Sequence, residues 1–197
     1  MKVLILVAGR GTRISRYLSG NPKCTVEIGE KKLIQYTIEL LHKKGITDIA
    51  LVLGYRGKVI KEILKNYDVK YYTNPFYDIT NSIASAWFAR DFLKEYDDTL
   101  IMNGDVFMEE TLLDEILDDN RSPLMIADST RKEEADYKFF YKDGILLKYG
   151  KELIYNNPNG WVWAGSSATG QGVSRAKLSL YRYMAYYNCV NAGEVPY

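Results

Sequence analysis

The stretch "LILVAGRGTRISRYLSGNPKC", Leu4 to Cys24, runs an apolar strand straight into a loop. That loop holds glycines at positions 9 and 11, arginines at 10, 13 and 16, and a Pro22–Lys23 pair. Val3–Ala8 is an unbroken apolar run of strand length, as expected of a central strand covered on both faces. Loops after parallel strands lie at the carboxyl edge of the sheet, where open α/β folds bind ligands. Glycines let the backbone approach a ligand closely, and successive N–H groups make an anion nest. Arg10, Arg13 and Arg16 add fixed positive charge with bidentate reach, and Lys23 adds a point charge beside Pro22. Such a loop is built to hold phosphate.

The pattern continues outward from this loop. Lys32–Lys44 places Leu33, Ile34, Thr37, Ile38, Leu40 and Leu41 along one helical stripe, and Gly45 ends it. Asp48–Gly54 reads as a second buried strand, Arg56–Asn66 as a helix and Val69–Thr73 as a short strand. After "NPFYD", Thr80 or Asn81 can cap a helix running to about Tyr96. Thr99–Asn103 is a strong strand that ends in Gly104-Asp105. A helix with Leu112, Leu113, Ile116 and Leu117 on one face follows, and then a strand in "PLMIAD". Alternating strands and helices predict an α/β sheet with helices on both faces. From Asp136 the rhythm changes: "DYKFFYKDG" and "ILLKYG" form a hairpin around Asp143-Gly144. Asn156–Gly172 is polar and glycine-rich, and Ser174–Val190 reads as a last helix. The expectation is one domain over 1–197, with its core in 1–130 and a smaller β-rich part in 131–175.

Composition sets the outer bounds. The chain has 197 residues, enough for one domain with a sizeable core. A net charge of +1 argues against a non-specific grip on nucleic acid or anionic membrane. The apolar runs stop well short of a bilayer span, so no membrane insertion is expected. Two cysteines, Cys24 and Cys189, offer neither a disulfide framework nor a metal knuckle, which points to the reducing cytoplasm. His42, the only histidine, lies on the charged flank of the first helix, so histidine acid–base work is not expected.

Phosphate loops come in several kinds. A Walker A loop needs G-x-x-x-x-G-K-[ST], which is absent; a dinucleotide fingerprint needs a third glycine where Ile14 stands. Gly-x-Gly by itself reads first as a surface turn with solvated arginines. The full string, G-R-G-T-R-x8-P-K followed by "TVEIGEKKLIQYTIELL", resembles the nucleotidyltransferases that activate phosphorylated small molecules with a nucleoside triphosphate. Within that family it is most similar to the bacterial phosphocholine cytidylyltransferases and their relatives. The resemblance extends through "KLIQYTI", "LGY", "YYTNPFYDITNSIASAWFA" and "IMNGDVF".

The resemblance implies a Rossmann-like, three-layer α/β/α nucleotide-diphospho-sugar transferase fold, with a mostly parallel mixed sheet and a small β-rich insertion. It implies transfer of a nucleotidyl group, CMP from CTP foremost, to phosphocholine or a similar phospho-compound, with release of pyrophosphate. Val7, Ala8, Gly9, Arg10, Gly11 and Thr12 would bind the nucleotide, with Arg13 on its β- and γ-phosphates. Lys23 would bridge the α-phosphate and the incoming phosphate, and Asp105 either caps the helix that follows or, as the resemblance implies, holds Mg²⁺. Asn81, Ser82 and Ser85 either cap the helix they open or contact base and ribose. Lys138 and Lys151 are either solvated lysines of an exposed strand or, by resemblance, lysines that touch phosphate or acceptor. Trp87, Trp161 and Trp163 either fill core or cup a quaternary ammonium, with Asp128 or Asp136 as countercharge.

Chemistry supports a site without a base. A phosphomonoester is already largely dianionic at neutral pH, its second pKa being about 6. It can attack the α-phosphorus without losing a proton, so the site must supply charge neutralisation and alignment. Sugar-1-phosphate or 2-aminoethylphosphonate nucleotidyl transfer remains a rival within the class. A non-catalytic nucleotide-binding regulatory domain is the rival outside it. The chain ends at "NAGEVPY", short of a family segment whose aspartate is the second metal ligand, so a further C-terminal segment is expected. A homo-oligomer is compatible with all of these readings.

Overall fold

The computed structural model describes residues 1–11, 18–94, 98–120, 124–126, 137–142, 145–150, 162–166 and 173–176. Strand β1 (Lys2–Val7) leads to a short 3-10 turn at Lys23–Thr25 and a small antiparallel pair, β2 (Glu27–Ile28) and β3 (Lys31–Lys32). Then come α1 (Leu33–Lys43), β4 (Ile49–Leu53), α2 (Gly57–Ile63) and β5 (Lys70–Thr73). Helices α3 (Ser82–Phe88) and α4 (Arg90–Leu93) precede β6 (Thr99–Asn103), α5 (Glu110–Asp118) and β7 (Leu124–Ile126). The later strands are β8 (Tyr137–Lys142), β9 (Ile145–Gly150), β10 (Val162–Ser166) and β11 (Val173–Ala176).

The main sheet runs in the order β5-β4-β1-β6-β11-β7. Strands β5, β4, β1 and β6 are parallel, while β11 pairs antiparallel with both β6 and β7. A separate antiparallel sheet runs β10-β8-β9, with Trp163 opposite Phe140 and Lys138 opposite both Gly150 and Gly165.

Alternation along the strands divides the core in two. Val3, Ile5 and Val7 of β1, Ile49, Leu51 and Leu53 of β4, and Leu100 and Met102 of β6 face one side. Ile34, Ile38 and Leu41 of α1, Ile60 of α2, and Leu113 and Ile116 of α5 pack on them. Leu4, Ala50, Val52 and Ile101 face the other side, under Ala86 of α3 and Phe92 and Leu93 of α4. The register sets Leu4 between Ala50 and Ile101, and Ile5 between Leu51 and Met102, so each layer is continuous across three strands. Helices on both faces of one sheet make the expected three layers.

Local chemistry fixes the helix ends. Gln35 accepts a hydrogen bond from the Lys32 backbone N–H at 3.1 Å and so caps the start of α1. At the other end Ile46 N–H reaches Leu41 C=O at 3.0 Å and Gly45 N–H reaches His42 C=O at 2.9 Å, the two bonds of a Schellman turn. Glu110, in the first turn of α5, meets Lys43 at 2.5 Å and Lys44 at 2.8 Å at the end of α1. Hydrogen bonds from those two lysines hold the Glu110 carboxyl well below its ordinary range, at about 2.

Two expectations need correction. The helix expected from 80 or 81 to about 96 is broken at Ala89, which leaves helical geometry at φ −100° and ψ 18°. The break turns α4 so that Phe92 and Leu93 enter the second core. Of the helix expected at Ser174–Val190, residues 177–190 lie outside the described residues, and the first three residues belong instead to strand β11. Its inner position between β6 and β7 supplies backbone partners on both sides, which outweighs local pattern. The polar stretch 156–172 likewise contributes β10, against β8.

The order of the strands also locates a crevice. From β1 the chain passes outward through β4 to β5, then returns to place β6 on the other side of β1. Loops leaving β1 and β6 therefore diverge, and open α/β sheets bind ligands at such a switch point.

Candidate active site

Residues leaving the carboxyl edge of β1 and β6 meet at this crevice. Tyr55 N–H donates to Ala8 C=O at 2.9 Å, and Gly104 N–H donates to Leu6 C=O at 2.9 Å, so the last sheet bonds hold both loops at their roots. Gly104 lies against β1: a Cβ there would stand 2.1 Å from Val7 Cγ1 and 3.4 Å from Cys24 Cβ. Only a hydrogen fits. That close approach delivers the next residue, Asp105, to the crevice.

Lys23 arrives from the opposite direction. Thr25 Oγ1 donates to Pro22 C=O at 2.7 Å and Val26 N–H to Lys23 C=O at 3.1 Å, which closes the 3-10 turn. Buried Cys24 and Thr25 root it in the core, leaving Lys23 directed at the crevice. Lys23 Nζ lies 3.4 Å from Asp105 Oδ2, with only 19% and 21% of the two side chains exposed. Cys24 lies just behind. Burial, with a smaller contribution from the Asp105 charge, pushes its thiol up to about 12.

The glycine loop covers the same place. Gly11 has φ +64°, and a Cβ on it would stand 2.4 Å from Lys23 Cγ and 2.7 Å from Lys23 Cε. The lysine stem thus lies across the glycine. Gly9 differs: its φ is not left-handed, and, chain neighbours aside, a Cβ there would meet no atom of the described residues within 4 Å. Arg10 turns towards the β5 side, where its Nε meets Asp78 Oδ1 at 2.9 Å.

The segment after β5 is held by Asn74, which is 1% exposed. Its Nδ2 donates to Thr80 Oγ1 and to Ser85 Oγ, each at 3.0 Å, and its Oδ1 accepts from Phe76 N–H at 2.9 Å. Asn81 Oδ1 accepts from Ile83 N–H at 3.1 Å and caps α3. Of the three polar residues expected to cap or to touch nucleotide, Asn81 therefore caps, Ser85 is buried against Asn74, and Ser82 is exposed. Trp87 is partly exposed on α3, with the Arg90 guanidinium carbon 5.2 Å from its ring.

The structure brings Ala8, Gly9, Arg10, Gly11, Lys23 and Asp105 together at the carboxyl edge, with Val7 buried beneath them. Lys138 and Trp163 are placed by backbone alone, in β8 and β10. Thr12, Arg13, Arg16, Asp128, Asp136, Lys151 and Trp161 lie outside the described residues. Sequence reasoning passed over Asn74, Asp78, Tyr55 and Arg56. A polar residue directly after each strand was the available signal; nothing in the sequence pairs Arg10 with Asp78, 68 positions away.

Comparison with known proteins follows the same outline. The family model of the MobA-like NTP transferase domain matches residues 3–153. The CTP:phosphoglutamine cytidylyltransferase of Campylobacter jejuni is 33% identical over 135 residues, 66% of this chain and 53% of that protein. The choline-phosphate cytidylyltransferase of Streptococcus pneumoniae is 32% identical over 167 residues, 85% of this chain and 69% of that protein. The chain thus spans about half the length of the first relative and about two thirds of the second. The solved CTP:phosphocholine cytidylyltransferase of Streptococcus pneumoniae superposes with a TM-score of 0.63 at 23% identity, covering 98% of this chain and 78% of that one, and shares the fold.

Proposed function

The chain belongs to the MobA-like NTP transferase domain family, and from that premise we propose that it transfers a nucleotidyl group, CMP from CTP, to phosphocholine or a similar small phospho-compound. The observation carrying this reading is the convergence of Lys23 and Asp105, 3.4 Å apart, beneath a glycine turn at the switch point of the sheet.

An acceptor phosphate oxygen attacks the α-phosphorus, a new P–O bond forms, and the bond to the β-phosphate oxygen breaks to release pyrophosphate. Backbone N–H groups around Gly9 and Gly11 hold the departing phosphates, and none of the described residues fills the space a Gly9 side chain would take, so they can approach. By the family resemblance, Arg13 is assigned to the same phosphates. Lys23 Nζ offsets the charge that accumulates as acceptor and α-phosphate crowd together. No base is required, because the acceptor is already ionised. His42 sits near the end of α1, which runs back to the amino edge of the sheet before β4, far from these loops.

Asp105 suits Mg²⁺. It offers a carboxylate at a strand end, and Lys23 engages only one of its oxygens, Oδ2, by hydrogen bond. Magnesium is commonly held by one or two carboxylates together with substrate phosphates and water. Bound there, the ion would polarise the α-phosphate.

The test is pyrophosphate release from CTP, GTP, UTP and ATP against phosphocholine, 2-aminoethylphosphonate and a sugar-1-phosphate, with magnesium present. Release from CTP with phosphocholine, lost in Lys23→Ala, is the expected result. Release with a sugar-1-phosphate alone would move the acceptor, and nucleotide binding without release under any pairing would make the chain a regulatory domain.

A further inference from the structure

Asp78 stands at the mouth of the glycine loop, and the reaction above gives it no task. Its carboxylate meets Arg10 at two points: Nε to Oδ1 at 2.9 Å and Nη2 to Oδ2 at 3.2 Å. A carboxylate set so occupies the guanidinium fork that could otherwise take two phosphate oxygens. Arg10 stands between Gly9 and Gly11, the residues whose backbone is proposed to receive the triphosphate.

The surroundings hold both partners in place. Tyr55, tied to the loop through Ala8, has the Arg10 guanidinium carbon 5.6 Å and the Arg56 guanidinium carbon 5.8 Å from its ring centroid. Arg56 Nη1 in turn donates to Asn21 Oδ1 at 3.2 Å, two residues before Lys23. Asp78 lies within the segment that Asn74 fastens at Phe76 and Thr80. The carboxylate is thus presented from a fixed frame, and the loop is gripped near its beginning and its end.

The pair itself is weak. Its side chains are 54% and 44% exposed, and ion pairs at that exposure contribute little to stability. A triphosphate brings several negative charges against the single one of Asp78, so it wins the fork.

We propose that Asp78 is a stand-in counter-ion: it holds Arg10 at the loop mouth while no nucleotide is bound, and yields it to phosphate oxygens of an arriving nucleoside triphosphate. This rests on the nucleotidyl-transfer reading. Asp78 is a positioning residue acting through Arg10, and it sets the affinity a nucleotide must exceed to be held.

The experiment is calorimetric titration of CTP, with GTP, UTP and ATP as further arms, into wild type, Asp78→Asn, Arg10→Ala and the double variant in magnesium buffer. Asp78→Asn is expected to bind about two- to fivefold tighter, the equivalent of not having to break one exposed ion pair. Arg10→Ala is expected to bind at least about tenfold more weakly, as for a lost charged hydrogen bond. In the Arg10→Ala background the Asp78→Asn change should have no effect, and Asp78→Glu should return affinity to near the wild-type value. Circular dichroism of each variant checks folding. Unchanged or weaker binding in folded Asp78→Asn, or tightening that persists without Arg10, overturns the exchange alone. Wild-type protein that binds none of the four nucleotides overturns the functional reading, and the exchange with it.

Discussion

The stem of Lys23 occupies the space that a side chain on Gly11 would need: a Cβ there would stand 2.4 Å from Lys23 Cγ. The glycine and the lysine are one device, although 12 positions separate them in the chain. Gly11→Ala would push the lysine off the crevice and place alanine at φ +64°, a backbone strain of about 1–2 kcal/mol. The expected outcome is a kcat about a hundredfold lower, the scale of a roughly 1 Å misplacement, with a modest fall in urea midpoint. Steady-state kinetics beside Lys23→Ala check this; Gly11→Ala at full activity would detach the lysine's position from the reaction.

Gly9 and Gly104 should separate ligand approach from packing. Among the described residues a Cβ on Gly9 meets nothing, so Gly9→Ala should leave unfolding free energy within about 0.5 kcal/mol of wild type. Its nucleotide affinity should nevertheless fall, because the methyl group stands where phosphate would come. Gly104→Ala collides with Val7 Cγ1 and should cost about 1–3 kcal/mol as overpacking. Urea melts and CTP titrations of the two proteins give the comparison.

Asn74 should prove a structural hinge-pin of the segment after β5. Replacing it with alanine removes three side-chain hydrogen bonds and leaves Ser85 Oγ buried without its donor. A loss of about 2–4 kcal/mol is expected, given roughly 1–3 kcal/mol for each buried polar group left unpaired. Chemical denaturation measures it, and a loss below 1 kcal/mol, by that same scale, would show the segment is held by other contacts.

Cys24 makes stability depend on alkaline pH. Its folded pKa, about 12, stands above its ordinary value of 9.0, so above pH 9 the folded state binds more protons than the unfolded one. The stabilisation is complete below the unfolded pKa and is lost as pH rises towards the folded one, at up to about 1.4 kcal/mol per pH unit. Cys24→Ser should flatten that decline between pH 9 and 11, read by urea midpoints. In a Cys189→Ser background the native thiol should also resist a disulfide reagent at pH 8, because so little thiolate is present.

Much of this was legible before any coordinates. Val3–Ala8, Asp48–Gly54 and Thr99–Asn103 announced buried parallel strands because a strand covered on both faces must be apolar throughout, and they match β1, β4 and β6. The 137–142 and 145–150 strands were marked in the sequence by the Asp-Gly pair between them. Strand β11 was not, because "VSRA" has no strand pattern of its own and gains its form from β6 and β7. The break at Ala89 was equally hidden, since "ASAWFARDFL" carries no residue that must end a helix.

The sequence by itself determined the chemistry on offer: a glycine turn rich in cations after one apolar strand, and a carboxylate after another. Those features are local, written in residue types and short spacings. Tertiary structure alone decided which of them meet. Lys23 reaches Asp105, across 82 positions, because the strand order places β6 beside β1. Arg10 is answered by Asp78 because the loops after β1 and β5 open at the same edge. Hydrophobic pattern specifies which faces are buried, whereas contact between distant polar groups depends on sheet order and register, which no single segment encodes.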